Sequence, residues 1–149
     1  MTTRHGTVTL NRTLKAAPAR VWAAFADPEA RAAWSIPSPD LNMRFEEADF
    51  RVGGRDLCVC GPGPAEGVTV ETVYHAIAPE TRMVSTEVIG MPAAPGAASL
   101  VTVALAPAGE GTALAVTLQS VSLGTDDMLA EVRDGWEGAL TNLDGFLAR

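Results

Sequence analysis

Asp49-Phe50-Arg51-Val52-Gly53-Gly54-Arg55 is the stretch from which the rest of the chain can be read. Two adjacent glycines between arginines mark a tight turn, because glycine adopts either sign of φ without steric cost. A strand-like run opens upstream at Met43–Phe45, and another follows from Arg55 to Gly61. The glycines therefore join two strands. Arg51 and Arg55 could hold a ligand carboxylate. The density of nearby acids favours bonds to Asp49, Glu46 or Glu47 instead.

Upstream, Val8 and Leu10 alternate with Thr7, Thr9 and Asn11, as in a half-buried strand. Pro18 then suits the first turn of a helix whose apolar face is Val21, Trp22 and Phe25. Asp27-Pro28-Glu29 restarts the helical pattern, with Asp27 as cap, and this second helix ends near Trp34. Pro37 and Pro39 impose an extended loop.

From Asn42 to Val121 the chain reads as strands separated by turn residues. Gly61-Pro62-Gly63-Pro64 is a loop by composition. Val68, Val70, Thr72 and Tyr74 alternate with their neighbours up to Pro79-Glu80, and Met83–Ile89 follows. Gly90–Gly96 reads as a mobile connection. Ser99–Ala106 and Thr112–Val121 form a pair, and short turns throughout argue for an antiparallel sheet. The period then changes. Leu129, Val132, Trp136, Ala139, Leu140, Leu143 and Leu147 recur at helical spacing, with Thr125 as the expected N-cap. Roughly 22 residues would give a helix about 33 Å long, lying across the sheet. The order is strand, two short helices, six strands, one long helix.

The chain has 149 residues, so one domain over 1–149 is expected, with an ordered core of about 7–147 and His5 outside it. Apolar residues make up 47% and charged residues 19%, which excludes a disordered chain. A formal net charge of −7 disfavours nucleic acid. No run of about twenty apolar residues marks a membrane span, and the first residues lack a signal peptide's apolar stretch. A cytoplasmic location is expected, and Cys58 and Cys60 fit a reducing compartment.

Several local motifs occur in an order that resembles the START-like (SRPBCC, birch-pollen-allergen-like) superfamily. They are Ala17–Trp22, Phe25–Glu29, Asp49–Arg55, Tyr74 to Glu80, Thr86-Glu87, Gly111-Thr112 and Gly135–Leu143. The chain is most similar to the family of the activator of heat-shock-protein-90 ATPase. The resemblance spans about Thr7 to Leu147. It implies an α+β helix-grip fold, a curved antiparallel sheet wrapped around the long C-terminal helix. It also implies a cavity between them for a small, largely apolar molecule. Trp34, Met43, Phe45, Cys58, Met83, Met128, Val132 and Trp136 are the residues expected to line it. The Gly61–Glu66 and Met91–Ala98 loops depart from the family pattern, and loops at a mouth set access.

Cys58 and Cys60 sit two apart on a strand and share a face. They could bind a soft metal, but no further ligand lies close in sequence, and free cysteine packs as a small apolar residue. No metal or other cofactor is expected. His75 alternates with Val73 and Ile77 and could act as a base, or sit at a strand edge. Glu71 and Glu87 lie on neighbouring strands; paired carboxylates can do acid–base work, but each is more often a solvated outer-face residue or a cross-strand partner of an arginine such as Arg82. No catalytic motif stands out, so a non-enzyme is favoured while the enzymatic reading stays open. The leading expectation is binding of a lipid, polyketide-like or aromatic metabolite. The alternatives are a cyclase or dehydratase-type enzyme using the same cavity, with His75, Glu71 or Glu87 moving protons, or a chaperone-associated interaction module. A homodimer is compatible with each of these readings.

Overall fold

The alternation at Val8 and Leu10 extends both ways, and β1 runs from His5 to Leu14. The computed structural model describes residues 3–36, 41–61 and 67–149. His5, expected outside the ordered core, is the first residue of β1 and pairs with Val121, because the last strand runs far enough to meet it. Two helices follow. α1 (Pro18–Ala26) begins on a proline and buries Val21, Trp22, Ala24 and Phe25. Asp27 caps α2 (Pro28–Trp34), accepting from the Glu29 N–H at 3.1 Å. The loops read from Pro37/Pro39 and from Pro62–Pro64 lie outside the described residues.

Six strands and a helix complete the chain: β2 (Asn42–Glu47), β3 (Arg55–Gly61), β4 (Val68–Ala78), β5 (Arg82–Met91), β6 (Ala94–Ala108), β7 (Gly111–Ser122) and α3 (Leu129–Leu147). The sheet is antiparallel and unclosed, in the order β1-β7-β6-β5-β4-β3-β2. The curved sheet and the C-terminal helix make the helix-grip fold. α3 packs most closely on α2, β1 and β7, while α1 covers β6 and β7. Arg20 of α1 donates through Nη1 to the Leu147 carbonyl and through Nη2 to that of Arg149 at 3.2 Å, so a cation closes the C-terminal end of α3.

Three local expectations change. Gly90–Gly96 is not a loose connection: β5 and β6 continue to a two-residue turn at Pro92-Ala93. Gly90, at φ 148°, permits this, since a Cβ there would overlap the backbone of Gly96. α3 has 19 residues and starts after Met128, not at Thr125. The Ser122 hydroxyl holds the preceding loop, donating to the Asp126 carbonyl at 2.6 Å and accepting from the Met128 N–H at 3.2 Å. Finally, the β4–β5 register shifts between Tyr74 and Ala76. The bulge leaves His75 outward with Val73, its Nε2 2.9 Å from Thr86 Oγ1, and turns Ile77, expected on their face, onto the core.

The interior is unevenly filled. Leu10 and Leu14 of β1, Leu114 and Leu118 of β7, and Leu140 and Leu143 of α3 bury large side chains together. Toward β3–β5, between the larger Tyr74, Met83 and Ile89, the inward positions Cys58, Cys60, Val70, Thr72 and Ser85 carry small side chains. Side chains that small, beneath a helix held on the β1/β7 side, leave space.

The Asp49–Arg55 turn depends on both glycines in different ways. Gly53 takes φ 82°, and Gly54 lies against the chain, where a Cβ would overlap the Asp49 carbonyl oxygen. Gly54→Ala is expected to destabilise by about 2 kcal/mol or more, through backbone displacement. Gly138→Ala on the exposed face of α3, where nothing lies within 4 Å, should stabilise by about 0.5–1 kcal/mol. Urea denaturation of the two variants measures both signs.

Candidate functional site

A cavity of about 370 Å³ opens between the inner face of β2–β6 and α3. Its walls are mainly apolar. Met43 and Phe45 come from β2, Cys58 and Cys60 from β3, and Met83 and Ile89 from β5. Val132, Trp136 and Ala139 come from α3, with Phe25 of α1 and Trp34 of α2 at one end. Trp34 is fixed by packing edge-on to Phe25 at 5.0 Å and by donating Nε1–H to the Ala24 carbonyl at 2.9 Å.

Arg31 and Tyr74 also line this cavity, as members of a buried polar cluster. Asp56 is 1% exposed and Arg31 9%. Arg31 Nη1 donates to Asp56 Oδ2, and also to Tyr74 Oη at 2.7 Å. Tyr74 Oη donates to the same Asp56 oxygen, and the Asp49 N–H donates to the other at 2.9 Å. The Arg31 guanidinium lies 4.6 Å over the Phe45 ring, and its Nε and Nη2 have no hydrogen-bond partner. The cluster thus ties α2, β3, β4 and the Asp49–Arg55 turn together, and a Trp22–Phe50–Tyr74 chain of edge-on rings packs behind it. Burial pushes the Tyr74 hydroxyl above its usual range, against the pull of Arg31, so it stays a neutral donor.

The registers align one inward-facing row across five strands: Asp56, Thr72, Glu87, Ser99 and Ser120. Its ends are satisfied, Asp56 by the cluster and Ser99 by Ser120 at 2.7 Å. Its middle members, Thr72 and Glu87, line the cavity. Glu87 Oε1 accepts from Trp136 Nε1–H at 3.3 Å. Burial drives the Glu87 carboxyl above the ordinary carboxylate range, and the indole N–H offsets only part of that.

A family model described as "Activator of Hsp90 ATPase homolog 1-like protein" matches residues 15–148. The chain belongs to that family. Among solved structures, the Mll3558 protein of Rhizobium loti is 31% identical, with a TM-score of 0.87 over 98% of this chain and 99% of that one. A protein from Rhizobium leguminosarum is 29% identical, with a TM-score of 0.85 over 99% and 97%. CV1439 from Chromobacterium violaceum is 27% identical, with a TM-score of 0.79 over 93% and 94%. Comparison with curated proteins gives no match.

For this Hsp90-ATPase-activator-like chain, the expected lining residues Trp34, Met43, Phe45, Cys58, Met83, Val132 and Trp136 come together at the cavity. Met128 does not join them. It is the N-cap of α3 and packs toward Gly96, because the helix starts one residue later. Glu71 and Glu87 lie on opposite faces, since Thr72, not Glu71, stands opposite Glu87. Glu71 bonds Arg55 at 2.9 Å rather than Arg82, and Arg55 also bonds Glu47 at 2.7 Å. Arg51 bonds Asp49 through Nε at 2.8 Å. Both arginines of the turn are therefore occupied by acids, outside the cavity. Cys58 and Cys60 share the cavity face. Burial pushes the Cys58 thiol up to about 12 and raises that of Cys60, so neither is a ready nucleophile. Among the described residues no three His, Cys, Asp or Glu side chains group where a metal could sit.

The Arg31–Asp56–Tyr74 cluster and Thr72 are additions to the sequence reading. A signal for Asp56 was present: two residues before Cys58, it shares that strand's inward face. Asp56→Ala, which leaves the Arg31 charge buried and unpaired, is expected to cost about 3–5 kcal/mol. Tyr74→Phe should cost about 1.5–3 kcal/mol, the range for a hydrogen bond to a charged group. Chemical denaturation of both variants tests the ranking.

Proposed function

We propose that this chain binds a small, largely apolar molecule in the cavity between the sheet and α3. The observation that carries this reading is the cavity of about 370 Å³ walled chiefly by Met, Phe, Trp, Val, Ile and Cys side chains. Space of that size bounded by apolar atoms favours transfer of an apolar body out of water, at roughly 25 cal/mol per Å² buried. A ligand burying about 300 Å² would gain about 7 kcal/mol before the cost of association. A lipid, polyketide-like or aromatic metabolite fits this chemistry.

The enzymatic alternative, a cyclase or dehydratase, draws on one observation, the Glu87 carboxyl in the cavity wall. Proton transfer through a substrate needs a second poised group. Tyr74 is committed to Asp56, the Cys58 thiol is held neutral, and His75 and Glu71 face outward. Binding is therefore the better supported reading. A chaperone-associated role rests on the family description alone. Of the exposed large apolar residues, Val68 lines the cavity and lies near Met91 where β4 and β5 pair, while Val52, Leu100 and Leu123 lie on other segments of the chain. No helix among the described residues is long and apolar enough to cross a membrane.

The test uses the neutral fluorophore N-phenyl-1-naphthylamine and a variant that fills the space, Val70→Trp on the cavity face of β4. The probe should brighten and raise the melting temperature of the parent protein. Val70→Trp should weaken it about tenfold or more, equivalent to about 1.4 kcal/mol. Equal binding by a folded Val70→Trp protein would place the probe elsewhere and remove the proposal's support.

A further inference from the structure

The geometry points to a specific ligand chemistry for the cavity: a neutral, mainly apolar molecule carrying a carbonyl oxygen that accepts a hydrogen bond from the carboxyl of Glu87, beside the Thr72 hydroxyl. This inference rests on the binding function proposed above and adds the polar group that orients the ligand.

The polar row crosses the inner face of the sheet. Its outer members satisfy one another or the ion pair, and its middle is left facing the cavity. Thr72 and Glu87 stand directly opposite on β4 and β5, so their Cβ atoms lie about 5 Å apart. Glu87 Oε1 is taken by the Trp136 N–H. No hydrogen bond among the described residues uses its Oε2. Glu87 is half-buried, so this oxygen opens into the cavity, where a ligand that enters displaces the water it would otherwise meet. A ligand that supplies a partner avoids leaving the oxygen unsatisfied on entry.

The choice of a neutral acceptor follows from charge. An ammonium ligand would require Glu87 to ionise and two charges to be stripped of water, which their mutual attraction seldom repays. A carboxylate ligand would need a free cation, and Arg31 is already neutralised by Asp56. A protonated carboxyl needs neither: it accepts from the indole with one oxygen and donates with the other. Burial favours that protonated form. The titratable groups around the cavity do not displace this balance. Glu131 is exposed among the lining residues, the Arg31–Asp56 pair is neutral in charge although Arg31 Nε and Nη2 carry no hydrogen bond, and the Tyr74, Cys58 and Cys60 groups are shifted toward their neutral forms. The facing β6 position is Ser99, a hydroxyl without charge.

Three naphthalenes of matched shape separate the possibilities: methyl naphthyl ketone, naphthylmethylammonium and methylnaphthalene. Affinities are measured by isothermal calorimetry from about pH 5 to about pH 9. The parent protein should prefer the ketone over the hydrocarbon about five- to tenfold at low pH, the value of one hydrogen bond. Because the ketone binds the protonated carboxyl, that preference should fall as pH rises through the elevated Glu87 pKa. Glu87→Gln keeps a donor and an acceptor in the same volume, so it should retain the preference and lose its pH dependence. Glu87→Ala should reduce the ketone to the hydrocarbon's affinity. Ammonium as the tightest probe, abolished by Glu87→Gln, would overturn the inference in favour of an ion pair. Equal binding of ketone and hydrocarbon by the parent protein at every pH would overturn it while leaving the cavity as a binding site. Failure of all three probes to bind would remove both. The parent protein's pH series decides the matter even where a variant fails to fold.

Discussion

The structure depends on one buried interaction, the Arg31–Asp56 ion pair with Tyr74 and the Asp49 N–H gathered on the same carboxylate. A carboxylate that is 1% exposed survives only when its oxygens are bonded and its charge is met. Those partners come from α2, β4 and the glycine turn, so the turn, the helix and the strand must all be in place together. The pair also fixes register. Pointing Asp56 inward sends Arg55 outward to Glu47 and Glu71, and brings Cys58 and Cys60 to the inner face. A slip of one residue would exchange those faces and expose the ion pair's cost.

With that side of the sheet pinned, the cavity follows from the distribution of side-chain volume. α3 is drawn to the β1/β7 side by leucines on both surfaces and held at its C-terminal end by Arg20. Beneath its N-terminal half the sheet presents Cys58, Val70, Thr72 and Ser85, too small to reach across. Close packing elsewhere makes the gap a property of sequence rather than of looseness. The polar row crosses this gap at Thr72 and Glu87, which gives a mostly apolar space one direction.

The order of elements was legible because each change of period is punctuated by a proline, a glycine pair or a capping aspartate. Pro18, Asp27-Pro28 and Gly53-Gly54 delimit elements where the residue types require. What escaped was set by tertiary contact. A bulge after Tyr74 separated Ile77 from the face of Val73 and His75, and the register put Glu71 and Glu87 on opposite sides. Ser122 held a loop that composition alone would have begun as helix. At the site, helical and strand periodicity found the apolar wall, since inward apolar positions follow a period. The ion pair and the polar row were hidden, because a charged residue on a strand reads as outward until its partners are known. Met128 shows the converse: helical spacing placed it with Val132 and Trp136, but the helix begins only after it.

Whether the space beneath α3 is a binding site is decided by a crystal structure of protein purified from cells without added ligand. Continuous density for an apolar molecule is expected between Phe45, Met83 and Trp136, with an oxygen within hydrogen-bond distance of Glu87. Side chains collapsed into that space, with Trp136 or Met83 filling it and no room for a molecule, would contradict a binding site there.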